Sequence, residues 1–245
     1  MVAAIEMKVK DGQVKAYLAK PEGGQDAPGV VLAPAIAGVN EYVLQTADRL
    51  AAAGYATLLV DYYAREGAAP DISSPQKIGE AVAALSDPRS LSDIAYAADH
   101  LRAESGVNAD RIGSFGFCIG GMYAYLAGCE GIGLKACVDY YGAIQYSETS
   151  ETKPASPLDR AGELDAPLLC HFGDFDRLIS ASDRDAFAAA LQENQKPYEM
   201  FVYHGAPHAF DEDFRAPVYR PAASADAWRR SLAFLDWNLK NRSVR

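Results

Sequence analysis

The chain has 245 residues, 49% of them apolar and 23% charged, which is enough for one large α/β domain with an ordinary buried core. Its 23 basic against 33 acidic residues give a formal charge of −10, and no basic run interrupts the scatter, so nucleic acid and anionic membrane surfaces are excluded as natural partners. No uncharged stretch is long enough to span a bilayer, and Glu6, Lys8 and Lys10 leave no apolar core for an export signal, so a cytoplasmic protein is expected.

In chain order, Ile5–Lys10 and Gln13–Ala19 read as two strands joined through Asp11-Gly12, an antiparallel hairpin at a sheet edge. Val30-Val31-Leu32-Ala33 and Ala56–Val60 are continuous apolar runs suited to strands covered on both faces, with a helix over Tyr42–Ala53 between them that stops at Gly54. Ser90 and Asp93 have capping-box spacing before a helix carrying Leu91, Ile94, Ala98 and Leu101 on one face. Further buried strands are expected at Arg111–Phe117, Ala136–Tyr141, Pro167–Phe172 and Tyr198–Tyr203, with helices over Ser182–Gln192 and Ala223–Leu239. Two segments rich in Pro, Ser, Gly and charge, Tyr62–Asp87 and Ala143–Leu164, follow strands at the sheet's carboxyl end, where lids and substrate loops belong. Strands alternating with helices place chemistry beyond the strands' carboxyl ends.

The most informative stretch is Arg111–Met122. Gly116 and Gly120 lie two positions either side of Cys118, the spacing of a nucleophile elbow on a strand–turn–helix corner. A thiol there is pushed out of the turn towards the N-terminus of the next helix, which favours the reactive thiolate. The four cysteines (118, 129, 137 and 170) show neither paired metal spacing nor a disulfide pattern, so no metal or cofactor is implied. Downstream, His171–Arg177 ends a strand on Gly173 with two acids behind it, and His204–Phe210 forms a turn past the last strand; nucleophile, acid and histidine thus follow in α/β-hydrolase order. His100 and His171 fall within elements and read as structural. His208, in the glycine–proline loop, is favoured over His204 as the base. Asp174 and Asp176 compete as the acid, one capping the turn and the other orienting the histidine.

These residues carry a resemblance to the dienelactone hydrolase family over nearly the whole length. It rests on Ile36–Asn40, Gly54-Tyr55-Ala56 leading to Asp61–Arg65, the elbow Gly116–Gly121, Gly173–Asp176 and His208-Ala209-Phe210. The resemblance implies a single α/β-hydrolase domain over residues 1–245, with a mostly parallel sheet of about eight strands and helices on both faces. It implies Cys118 as nucleophile, His208 as base, Asp176 as orienting acid, and the backbone N–H groups of Ile36 and Ile119 as oxyanion hole. The implied enzyme is a carboxylic ester or lactone hydrolase of the carboxymethylenebutenolidase type, working through a thioester, a monomer or small homo-oligomer with a small-molecule substrate. Ala35 stands where the namesake enzymes have a glutamate, and Asp211-Glu212-Asp213 follows the histidine where they have an arginine. The acidic run disfavours a substrate carboxylate; Arg65, Arg89 and Arg215 are the candidate replacement anchors. The alternative reading is a ligand-binding or redox-sensing protein using the elbow thiol.

Overall fold

The computed structural model describes residues 1–240. An eight-stranded sheet runs in the order β1-β2-β4-β3-β5-β6-β7-β8, comprising β1 (Ala3–Val9), β2 (Gly12–Ala19), β3 (Ala27–Ala33), β4 (Ala56–Leu59), β5 (Val107–Phe117), β6 (Cys137–Tyr140), β7 (Leu168–Gly173) and β8 (Tyr198–Tyr203). The β1–β2 hairpin and the β2–β4 pair are antiparallel, and β4, β3, β5, β6, β7 and β8 are parallel. This is the mostly parallel α/β sheet expected. The core strands β3, β4, β6 and β7 are buried at every residue, as their mostly apolar runs require of strands covered on both faces; Asp139 in β6 and His171 in β7 are buried with them.

The helices are α1 (Glu41–Ala52), α2 (Pro75–Ala84), α3 (Asp87–Ala103), α4 (Ile119–Gly128), α5 (Ala181–Glu193) and α6 (Pro221–Leu235), the last continued by a π turn over Asp236–Lys240. None among the described residues is long and apolar enough to cross a membrane.

Two expectations need correction. The cap of α3 is Ser86, whose hydroxyl accepts the Arg89 N–H, and Pro88 sits in the first turn; Ser90 and Asp93 are buried inside the helix. The strand β8 is only partly buried because it forms the sheet's edge, which its apolar composition does not reveal. The 62–87 insertion contains α2, a helix with a single buried residue, Ala81.

The second insertion, 143–164, is held by a buried polar cluster. Lys153 Nζ donates to Asp87 Oδ1 (2.5 Å) and to Leu85 O (2.7 Å), while Tyr123 and Tyr146 hydroxyls donate to the two oxygens of Asp87 (2.7 Å each). Burial lowers the Lys153 pKa, against the Asp87 carboxylate that raises it. Every charge in this cluster is partnered, the condition under which buried ions are tolerated.

Candidate active site

Cys118 caps the N-terminus of α4 with φ 56° and ψ −123°, a conformation that is sterically costly for a residue with a side chain. The surrounding glycines allow it. A Cβ on Gly116 would lie 2.0 Å from Gly120 O, and one on Gly120 would lie 2.2 Å from Ala33 O, so neither position admits a side chain. The Cys118 N–H donates to Tyr140 O (2.9 Å), tying the corner to β6. The first helical hydrogen bond of α4 runs from Met122 N–H to Cys118 O (3.1 Å), which leaves the Ile119 amide ahead of the ladder, at the positive end of the helix.

The loop after β3 approaches the same corner. Gly38 N–H donates to Ala35 O (2.9 Å), and the Tyr63 hydroxyl donates to Ile36 O (2.9 Å). The Tyr63 ring packs so closely on Gly38 that a Cβ there would meet it at 2.9 Å. Asn40 then caps α1 through its side-chain oxygen, accepting the Val43 N–H (3.1 Å). Ile36 is thereby held in a pinned turn above the sheet.

The ends of β7 and β8 are in register, Gly173 opposite Tyr203, so their loops lie side by side. Asp174 N–H donates to Tyr203 O (3.1 Å) and Phe175 N–H to Ala206 O (3.0 Å). A Cβ on Gly173 would sit 1.9 Å from Ala206 O, which explains glycine at the end of β7. The two acids then part. Asp174 accepts the Gly205 N–H (2.6 Å) and pairs with the exposed His204 Nδ1 (2.7 Å), clamping the turn at the surface. Asp176 is buried; its Oδ1 accepts the Leu178 N–H (2.8 Å) and its Oδ2 accepts from His208 Nδ1 (2.8 Å). The neighbouring Ala209 holds the left-handed φ of 62°, turning the His208 ring inward over the Tyr141 ring at 5.1 Å.

His208 Nε2 is buried and without a hydrogen-bond partner among the described residues. Burial presses the ring's pKa down, but the neighbouring Cys118 and the Asp176 carboxylate, through charge and hydrogen bonding, outweigh it and raise it to about 10. Cys118, His208 and Ile36 line one cavity of about 530 Å³, together with Ala35 and Ala37.

The other histidines are accounted for. His171 is fully buried between Ser231 Oγ (3.0 Å) and Tyr203 OH (3.1 Å), and burial lowers its pKa to about 3. His100 lies on α3, with its Nε2 3.9 Å from Glu104.

The candidate anchors are mostly occupied elsewhere: Arg65 binds Asp93 (2.6 Å) and Asp11 (2.8 Å), and Arg89 binds Glu66 (2.6 Å). Arg215 does line the cavity, but it pairs with Glu212 at 2.7 Å. The acidic run does not confront the cavity as a block. Asp211 is buried and accepts the Tyr42 hydroxyl, Glu212 is neutralised by Arg215, and Asp213 lies outside the lining. Arg177, which the sequence reading passed over, lines the cavity with no ion pair among the described residues.

Asp139 was also unforeseen. This β6 carboxyl is buried beneath the elbow, accepts the Gly142 N–H (2.7 Å), and lies so close to Gly121 that a Cβ there would meet its Oδ1 at 2.2 Å. Burial pushes its pKa up to about 7, against the Gly142 N–H and the His208 charge. The available signal was a lone acid inside an apolar strand. No cluster of three or more potential metal ligands occurs among the described residues.

A lactonase of Bradyrhizobium sp, named for 2-oxo-3-(5-oxofuran-2-ylidene)propanoate, is 41% identical over 224 residues, covering 91% of this chain and 89% of that protein. A Salmonella typhimurium protein named as a carboxymethylenebutenolidase is 34% identical over 219 residues, covering 89% of this chain and 80% of its own. Among solved structures, one from Klebsiella pneumoniae named as a dienelactone hydrolase superposes with a TM-score of 0.87 at 31% identity, covering 96% of this chain and 98% of that one. The model of the dienelactone hydrolase family matches residues 14–239, and the chain belongs to that family of α/β-hydrolase-fold enzymes.

Proposed function

We propose that this family member, a carboxylic ester or lactone hydrolase, works through Cys118, His208 and Asp176. The observation that carries the reading is the 2.8 Å hydrogen bond from His208 Nδ1 to the buried Asp176 Oδ2, with His208 and Cys118 lining one cavity. That bond leaves Nε2 free for proton transfer on the cavity side.

The anionic sulfur attacks the acyl carbon, forming the C–S bond as the carbonyl electrons move to oxygen. The oxyanion is held by the Ile36 and Ile119 N–H groups, donors fixed before the charge develops. His208 gives its Nε2 proton to the leaving oxygen as the C–O bond breaks, releasing the alcohol or, in a lactone, the ring-opened hydroxyl. Water then attacks the thioester, passes a proton to His208, and the C–S bond breaks to regenerate the sulfur anion with a free acid as product. These steps require no cofactor. A redox role has less support, since Cys129, Cys137 and Cys170 are all free and buried, and none is paired with Cys118.

The Bradyrhizobium relative is named for a lactone bearing a carboxylate. On a lactone of that kind, the carboxylate would meet Arg177 rather than an arginine following the histidine. The test is hydrolysis of p-nitrophenyl acetate. Cys118→Ala and His208→Ala each lose on the order of a thousandfold or more, with the double variant little worse than either single, because the residues act as a unit. His204→Ala, which alters only the surface clamp, keeps most activity; a dead His204→Ala beside an active His208→Ala would overturn the assignment.

A further inference from the structure

Soluble proteins scatter their exposed apolar side chains, and a contiguous exposed group marks a surface that something else covers. Among the described residues seven large hydrophobics are exposed, and four of them, Ile78 (38%), Phe175 (64%), Leu178 (72%) and Phe214 (59%), line the Cys118 cavity. They arrive from three separate parts of the chain: Ile78 from α2, Phe175 and Leu178 from the loop carrying Asp176, and Phe214 from the segment after His208. No core requirement explains Phe175, Leu178 and Phe214, which stay mostly in solvent, and Ile78 is more than a third exposed beside them. What they share is the cavity that Cys118 and His208 also line.

We propose that the substrate is an ester or lactone carrying an apolar hydrocarbon substituent, and that Phe175, Leu178, Phe214 and Ile78 select it. This rests on the hydrolase reading above and narrows it to a substrate class. The cavity, about 530 Å³, is of the size that encloses drug-sized molecules and is much larger than a bare lactone ring needs. The insertion bearing α2 contributes both Ile72 and Ile78 to the lining, so it acts as one wall of the substrate channel. Because the substituent meets a half-open rim rather than a closed core, it gains about half of full burial, roughly twofold in kcat/KM for each methylene.

The substituent belongs to either the acyl or the alcohol portion, and two series separate these. One is p-nitrophenyl acetate, butyrate and hexanoate; the other is methyl, butyl and hexyl acetate followed by acid release. For the wild type, at least one series rises roughly tenfold or more from its shortest to its longest member, chiefly through a lower KM. The Phe175→Ala/Leu178→Ala double variant flattens that slope, Leu178→Asp flattens or reverses it, and Trp237→Ala, at an exposed apolar residue elsewhere, leaves it unchanged. All of these positions are exposed, so thermal melts should confirm that every variant is folded. Two flat series, or a slope indifferent to both rim variants, overturn the proposal. If Cys118-dependent acetate hydrolysis persists while the slopes are flat, only this inference fails; if Cys118→Ala hydrolyses acetate as wild type does, the hydrolase mechanism fails first.

Discussion

Replacing the Cys118 sulfur by a hydroxyl of nearly the same size should lower the proton affinity of His208 by an amount that the surroundings define. In the wild type the ring is raised to about 10 by the Cys118 sulfur and Asp176 despite burial. The buried His171 gives the contrast: burial, helped by the Arg230 charge and only partly opposed by Asp226, brings its pKa down to about 3. Cys118→Ser removes one of the two groups that raise the ring's pKa and leaves the 2.8 Å bond to Asp176 intact. An opposite charge at contact distance is worth roughly 1–3 pKa units, so the variant's midpoint should fall by that amount. The assay is an NMR titration of the His208 ring resonances, assigned by comparison with His208→Gln. The sign also fixes a stability window. A histidine whose folded pKa exceeds its unfolded value, near 6.5, contributes stability fully present below about pH 6.5 and lost as pH rises towards 10. In Cys118→Ser the loss should be complete at lower pH. A wild-type midpoint near 6.5 that does not move in Cys118→Ser would refute the charge pairing at the site.

Three further outcomes follow from the same geometry. Asp176→Asn should lower turnover by on the order of 10⁴-fold, by leaving the His208 ring in the wrong tautomer, whereas Asp174→Asn loosens only an exposed clamp and costs less than about tenfold; equal losses would place the acid elsewhere. Asp139, its carboxyl pKa raised to about 7 by burial, binds a proton in the folded state that the unfolded chain has released, so its contribution to stability falls as pH rises from 4 to 7; denaturant unfolding of wild type minus Asp139→Asn should show that slope, and a flat difference would contradict it. Lys153→Ala strands the buried Asp87 carboxylate and should cost about 3–5 kcal/mol of unfolding free energy, against under about 1 kcal/mol for a surface lysine such as Lys77→Ala.

Where one residue decides its own environment, the sequence was sufficient to read. The glycine spacing around Cys118 reflects a backbone approach that excludes any Cβ, and the apolar runs of β3, β4, β6 and β7 reflect burial on both faces. The chain order of Cys118, Asp176 and His208 likewise carries over into space, because each follows a strand of one parallel sheet. What stayed hidden depends on partners distant in sequence. The edge position of β8 is set by the strand order; its residues resemble those of a central strand. Asp174 and Asp176 are two positions apart in one turn, and only the path of the facing β8 loop gives one to His204 and the other to His208. Arg65 and Arg89 looked available as anchors until Asp11, Asp93 and Glu66 were brought to them. The Ser90–Asp93 spacing imitated a cap, while Pro88 in the first turn of α3 was the better marker of where that helix begins.

The most direct test of the account is to look for the covalent intermediate. Rapid acid quench of the enzyme turning over a slowly deacylated p-nitrophenyl ester, followed by intact-mass and peptide mass spectrometry, should reveal one acyl group on the peptide bearing Cys118. The adduct should be released by neutral hydroxylamine, as a thioester is, and absent from Cys118→Ala, which should also have lost turnover. An acyl group on any other residue, or a Cys118→Ala enzyme that hydrolyses the ester at the wild-type rate, would contradict it.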